Sequence, residues 1–148
     1  MASRSINDLH PMLAYAYGKA EVEWKINNPK RPFPFLTATF RPGVEQNALF
    51  AQPTDKKDND GDGKIDEPDE FVTNARAGQS PHNFNPSYAF DVGFQDDKGK
   101  TYWNDLTLFN DFAKLMLKTA GITWGGNFKK LQDRPHFELT GWENMPKK

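Results

Sequence analysis

Residues 88–94, YAFDVGF, constrain the fold more than any other stretch of the chain. In an extended strand Tyr88, Phe90, Val92 and Phe94 share one side, while Ala89, Asp91 and Gly93 share the other. A side this apolar needs a packed layer against it, and helical patterns supply that layer. From Asn104 to Ala120, Leu106, Phe109, Ala113, Met116 and Ala120 recur at helical spacing, with Gly121 as the stop signal. From Asn7 to about Lys25, Leu9, Met12, Leu13, Ala16 and Ala20 do the same, with Ser5 or Asn7 as N-cap and Pro11 in the first turn. FLTATF reads as a short strand, GVEQNALFAQ as a helical turn or two, and EFVTNARAG as a short helix closed by Gly78. RPHFELT alternates again, setting His136, Glu138 and Thr140 opposite Phe137 and Leu139. Helices with a few strands in no βαβ rhythm predict an α+β fold, a small antiparallel sheet packed with helices.

At 148 residues the chain is expected to be a single domain, and a monomer. It contains no cysteine, so a disulfide or a thiolate metal site is excluded and any transition metal must be held by His, Asp or Glu. The first residues, MASRSINDLHPMLAYAYGKAEVEW, have no long apolar run, which predicts neither a signal peptide nor a membrane span and implies synthesis in the cytoplasm. The formal net charge of −1 conceals an asymmetry: eight acids and three lysines fall in residues 53–72. The rest of the chain is therefore net basic, which suits an anionic envelope polymer once the acidic segment is neutralised. No feature of the sequence points to nucleic acid.

The acidic segment has a specific pattern. In DNDGDGKIDEPD, Asp58, Asp60, Asp62, the Lys64 carbonyl, Asp66 and Asp69 occupy positions 1, 3, 5, 7, 9 and 12 of an EF-hand-like loop, with Gly63 at the sixth. Asp69 stands where a longer Glu is usual, and Glu70 is an alternative closing ligand. Oxygen donors in a flexible loop suit Ca²⁺, which is here expected to be a structural or regulatory ion inserted at about 58–69. Filled coordination and weak Lewis acidity make such an ion a poor centre for catalysis.

A second cluster involves histidine. Of His10, His82 and His136, His10 precedes Pro11 at a helix start and reads as structural. His82, Asp91 and His136 could supply three N or O ligands to a catalytic zinc, with Asp133 as the base. Ala89, Gly93 and Thr140, on the same strand faces, are small and would leave room for a ligand.

Five blocks carry a resemblance: SINDLHPML, TFRPGVEQNALFAQ, VTNARAGQSPHN, AFDVGF and GITWGGNFKKLQDRPHFEL. In this order they resemble phage endolysins of the L-alanyl-D-glutamate peptidase type. Those belong to the zinc peptidase family that also holds D-alanyl-D-alanine carboxypeptidases and vancomycin-resistance dipeptidases, with a hedgehog-like fold. The resemblance implies His82, Asp91 and His136 as zinc ligands, Asp133 as catalytic base, and Arg41 as the binder of a substrate carboxylate, where a bidentate guanidinium fits. The eight residues NFNPSYAF between His82 and Asp91 form a longer interval than many members have. Ser80 and Glu138 are candidates for orienting the ligands, and Trp124 for lining a groove or the core. The implied activity is zinc-dependent endopeptidase cleavage of the peptidoglycan stem peptide, acting in the periplasm for host lysis. The alternatives are a D-alanyl-D-alanine carboxypeptidase or dipeptidase on the same fold, and a non-enzymatic calcium-binding module.

Overall fold

The computed structural model describes residues 2–51, 78–129 and 132–146. The calcium-loop candidates Asp58, Asp60, Asp62, Lys64, Asp66, Asp69 and Glu70, and most of EFVTNARAG, lie outside the described residues.

Among the described residues four strands form one sheet: β1 (Phe33–Ala38), β2 (Ala89–Gln95), β3 (Ile122–Trp124) and β4 (His136–Leu139). Their spatial order is β1-β2-β4-β3, and each neighbouring pair is antiparallel. The α+β expectation therefore holds, and β2 and β4 take the middle of the sheet. Among the described residues three α-helices accompany it: α1 (Pro11–Asn27), α2 (Gly43–Ala51) and α3 (Leu106–Met116).

The alternation in β2 sorts as the sequence predicts. Phe90, Val92 and Phe94 are fully buried, and with Phe137 and Leu139 of β4 they make the sheet's contribution to the core. Across them lie Tyr17 and Trp24 of α1 and Phe109 and Phe112 of α3, with Trp24 and Phe112 each about 6 Å from Phe94 or from one another in tilted or edge-on contact. Edge-to-face rings add specificity to a core already favoured by burial.

Two helix boundaries differ from the expectation. The first helix begins at Pro11, not near Asn7, because a residue before proline avoids the helical region and His10 accordingly has ψ 139°. His10 is instead the N-cap, its Nδ1 accepting from the Met12 N–H at 3.2 Å. Ser5 caps a separate 3-10 turn, Ile6–Asp8. Helix α3 stops at Met116 and does not run on to Ala120, because the next amides, Lys118 and Thr119, bond to the carbonyls three residues back. Gly121 then reverses the chain at φ +87°. The three-residue strand β3 was not visible in the sequence.

The opposite face of the sheet carries the polar side chains. Asp91 pairs directly with His136, and Ala89 with Glu138, so all four point away from α1 and α3. A shift of register between Leu36 and Ala38 bends the end of β1 beside Asp91, where Ala38 is its partner.

Candidate metal centre

Three elements deliver the cluster. β2 supplies Asp91 and β4 supplies His136, at paired positions. His82 comes from the 3-10 turn Pro81–Asn83, whose N-cap Ser80 accepts from the His82 N–H at 3.2 Å and whose Asn83 closes a capping box. That turn is tied to the sheet through the Arg41 N–H, which donates to the His82 carbonyl at 2.7 Å. Asn83 Nδ2 donates to the Arg41 carbonyl at 3.0 Å.

His82 Nε2, His136 Nδ1 and Asp91 Oδ1 converge. The two nitrogens are 3.3 Å apart, and each lies 3.2–3.3 Å from the carboxylate oxygen. Four donors about 2.0–2.1 Å from a tetrahedral zinc are separated by about 3.3 Å along each edge of the tetrahedron. The three atoms thus already have the spacing of one face of that tetrahedron, and the fourth corner is left for water.

The remaining ring nitrogens fix the tautomers. His82 Nδ1 lies 2.8 Å from the Thr39 carbonyl, which can only accept, so Nδ1 carries a proton and Nε2 is the atom that would offer its lone pair to a metal. His136 Nε2 lies 2.7 Å from Glu138 Oε1, leaving Nδ1 as the donor atom. Both imidazoles are buried, and both are oriented by an acceptor behind them, the arrangement seen at metal-ligating histidines. On its chemistry and spacing the donor set fits zinc.

Electrostatics agree with a cation site. Burial alone would raise the Asp91 carboxyl, but the pull of His82 and hydrogen bonds from both imidazoles hold it well below the usual carboxylate range. Burial opposes charge on His136, yet its bonds to Asp91 and Glu138 push it up to about 10. Two carboxylates thus hold a proton on His136 that a divalent cation would displace. Asp133 is raised by desolvation and then by the Asp91 charge, with His136, His82 and Arg41 opposing.

These groups line a cleft of about 540 Å³. Asp133 and Arg41 are on its wall, with Ser80, Trp103, Phe128 and Glu138. Asp133 sits on the turn leading into β4; its N–H donates to the Gly125 carbonyl at 2.9 Å and its own carbonyl accepts from the His136 N–H at 3.1 Å. A side chain on Gly125 would collide with the Asp133 carbonyl, so glycine is needed there for close approach. Arg41 Nη1 donates to Gln46 Oε1 at 2.9 Å, and Nη2 lies 3.8 Å from Asp91 Oδ2.

Trp124 is not on the cleft wall. It stacks on Phe137 and its indole N–H donates to the Arg134 carbonyl at 2.7 Å, so of its two expected roles it has the structural one. The room expected over Gly93 is filled by the Trp103 ring, and Thr140 Oγ1 is bonded to Thr123 Oγ1 at 2.6 Å. Sequence reasoning missed Trp103, Phe128, the Thr39 carbonyl and Gln46. Thr39, Gln46 and Phe128 fall within the TFRPGVEQNALFAQ and GITWGGNFKKLQDRPHFEL blocks, but nothing in those blocks marks their roles, and Trp103 lies outside them.

Comparison with known proteins agrees with this geometry. Residues 73–139, which contain all three donor residues and Asp133, match the family described as D-alanyl-D-alanine carboxypeptidase. The peptidoglycan L-alanyl-D-glutamate endopeptidase CwlK of Bacillus subtilis is 32% identical over 111 residues, covering 70% of this chain and 59% of CwlK. The chain thus spans somewhat under two thirds of that relative's length. The L-Ala D-Glu endopeptidase ChiX of Serratia marcescens superposes with a TM-score of 0.61 at 19% identity, covering 95% of this chain and 89% of ChiX, and so shares the fold. The chain is thus similar to this peptidase family in sequence over residues 73–139 and to ChiX in fold.

One prediction concerns the group behind the ligand. Glu138→Gln keeps the shape but replaces the carboxylate that holds the His136 tautomer, and is expected to weaken zinc affinity about 10- to 100-fold. Competition with a chromogenic chelator measures it; unchanged affinity would remove Glu138 from the site.

Proposed function

We propose that the chain is a zinc-dependent peptidoglycan endopeptidase cutting the stem peptide between L-Ala and D-Glu. The observation that carries the reading is the convergence of His82 Nε2, His136 Nδ1 and Asp91 Oδ1 at tetrahedral spacing beneath a cleft walled by Asp133 and Arg41. The L-alanyl-D-glutamate endopeptidase activity of the similar protein CwlK supports the choice of bond.

His82, Asp91 and His136 would hold the zinc, which when bound supplies Lewis acidity to water and to the scissile carbonyl. Asp133 accepts the proton of the attacking water and returns it to the leaving nitrogen. Its raised pKa suits both halves of that exchange, since a carboxylate that is too weak a base would not take the proton at all. Arg41 offers a planar guanidinium at the cleft edge, fixed by Gln46, where it would bind the free α-carboxylate that D-Glu keeps when joined onward through its γ-carboxyl. The Thr39 carbonyl and Glu138 hold the imidazoles so that no reorganisation is needed during the reaction.

The calcium reading and the lytic role rest on the sequence. The ligand spacing from Asp58 to Asp69 supports Ca²⁺ as a stabiliser or switch, and the endolysin-like blocks support synthesis in the host cytoplasm and action on the wall. The second reading, a D-alanyl-D-alanine carboxypeptidase, is favoured by the family description matched by residues 73–139.

Product analysis on purified peptidoglycan tests both. After chelator treatment, Zn²⁺ is expected to restore release of peptides with N-terminal D-Glu, and Ca²⁺ to raise the rate further without replacing Zn²⁺. Release of D-Ala would transfer the chain to the second reading. An intact wall in the presence of both ions would leave only a calcium-binding module.

A further inference from the structure

Trp103 is a large apolar side chain with 51% of its surface exposed, yet it lies on the wall of the metal cleft. Its place is set from below. A Cβ on Gly93 would come within 2.7 Å of the outer edge of the indole, so the ring packs against a strand position that glycine keeps open. Phe35, the cross-strand partner of Gly93, meets the indole edge-on at 6.2 Å. No described residue bonds to the indole N–H. The ring is therefore supported on one side and open on the other, the form of a stacking platform.

Its position along β2 decides what it meets. Gly93 is two residues beyond Asp91 on the same face, about 7 Å away along the strand. Arg41 lies in the other direction, since β1 runs antiparallel to β2 and Arg41 follows Ala38, the partner of Asp91. A stem peptide whose D-Glu carboxylate is held by Arg41 extends its other half towards Trp103. Beyond the scissile carbonyl, about two residues' length covers L-Ala and the lactyl link, and the next group is the muramyl sugar.

We propose that Trp103 binds the muramyl residue, stacking its indole on the apolar face of the sugar ring, and that it makes the enzyme prefer glycan-linked peptides. This rests on the endopeptidase reading above. Trp103 touches no reacting atom, so its contribution is uniform binding, read in KM and not in kcat.

The test compares two soluble substrates that differ only in the sugar: N-acetylmuramyl-L-alanyl-γ-D-glutamyl-diaminopimelate and the N-acetyl tripeptide without it. For the wild-type protein, KM is expected to be lower for the muramyl substrate. Trp103→Ala is expected to raise that KM roughly ten-fold while leaving kcat and the tripeptide's KM within about two-fold. Trp103→Phe should restore part of the difference, and Gly93→Ala, which displaces the indole, should reproduce the loss. An equal loss on both substrates, or none on either, would overturn the proposal while leaving the endopeptidase reading intact. Failure of the wild-type protein to cut either substrate would overturn that reading, and this proposal with it.

Discussion

Asp133→Asn is expected to lower kcat by about 10²- to 10⁴-fold, the range for loss of a positioned general acid–base group. Zinc content and thermal stability should stay close to wild type. The separation is possible because Asp133 contributes to the fold through its backbone: its N–H bonds to the Gly125 carbonyl and its carbonyl receives the His136 N–H. Asparagine keeps both bonds and the side-chain shape, and removes only the ability to take a proton. Stopped assays with metal analysis of the same samples measure it. If more than about a tenth of the activity survived, well outside that range, another base would be required. Apart from the ligand Asp91, Glu138 is the other carboxylate among the described residues on the cleft wall, although its bond to His136 already occupies it.

His136→Ala has the second large effect and a different signature. Here zinc itself is expected to be lost, because two donors cannot hold the ion as three do, and activity should fall below detection. The change also leaves the Asp91 carboxylate short of one of its two imidazole partners in a desolvated site, so stability should fall as well. His10→Ala is the matched control. His10 caps α1 and lies against Tyr88, outside the metal cluster, so its loss should cost about 1 kcal/mol or somewhat more of stability and leave zinc and turnover unchanged. Metal content and melting temperature across the two variants distinguish a ligand from a cap; retention of stoichiometric zinc by His136→Ala would remove it from the centre.

How far the site could be read from the sequence varies with the kind of contact. Alternation in YAFDVGF and RPHFELT placed Asp91, His136 and Glu138 on faces turned from the core, because side-chain direction in a strand follows from parity alone. That Asp91 stands directly opposite His136 was not readable, since register depends on how two distant segments pair. His82 could be placed by resemblance, but its orientation depends on a backbone carbonyl at Thr39, and every residue has one. Glycine was ambiguous in the same way. Gly93 reads equally as space for a ligand or as space for another side chain, and Trp103 takes it. The helix ends moved by a turn because Pro11 and the tightened bonds after Met116 outweigh the apolar period.

The central strand pair also makes metal binding and correct folding inseparable. Two of the three donors take their spacing from the backbone ladder between β2 and β4, so lengthening a connecting loop need not alter it. Sliding β4 by one residue would do far more. It would turn His136 inward and Phe137 out into the cleft, destroying the hydrophobic interior and the ion cage in a single step. A misregistered chain therefore has no route to partial function: the same error that scatters the donor atoms also turns core side chains out to solvent.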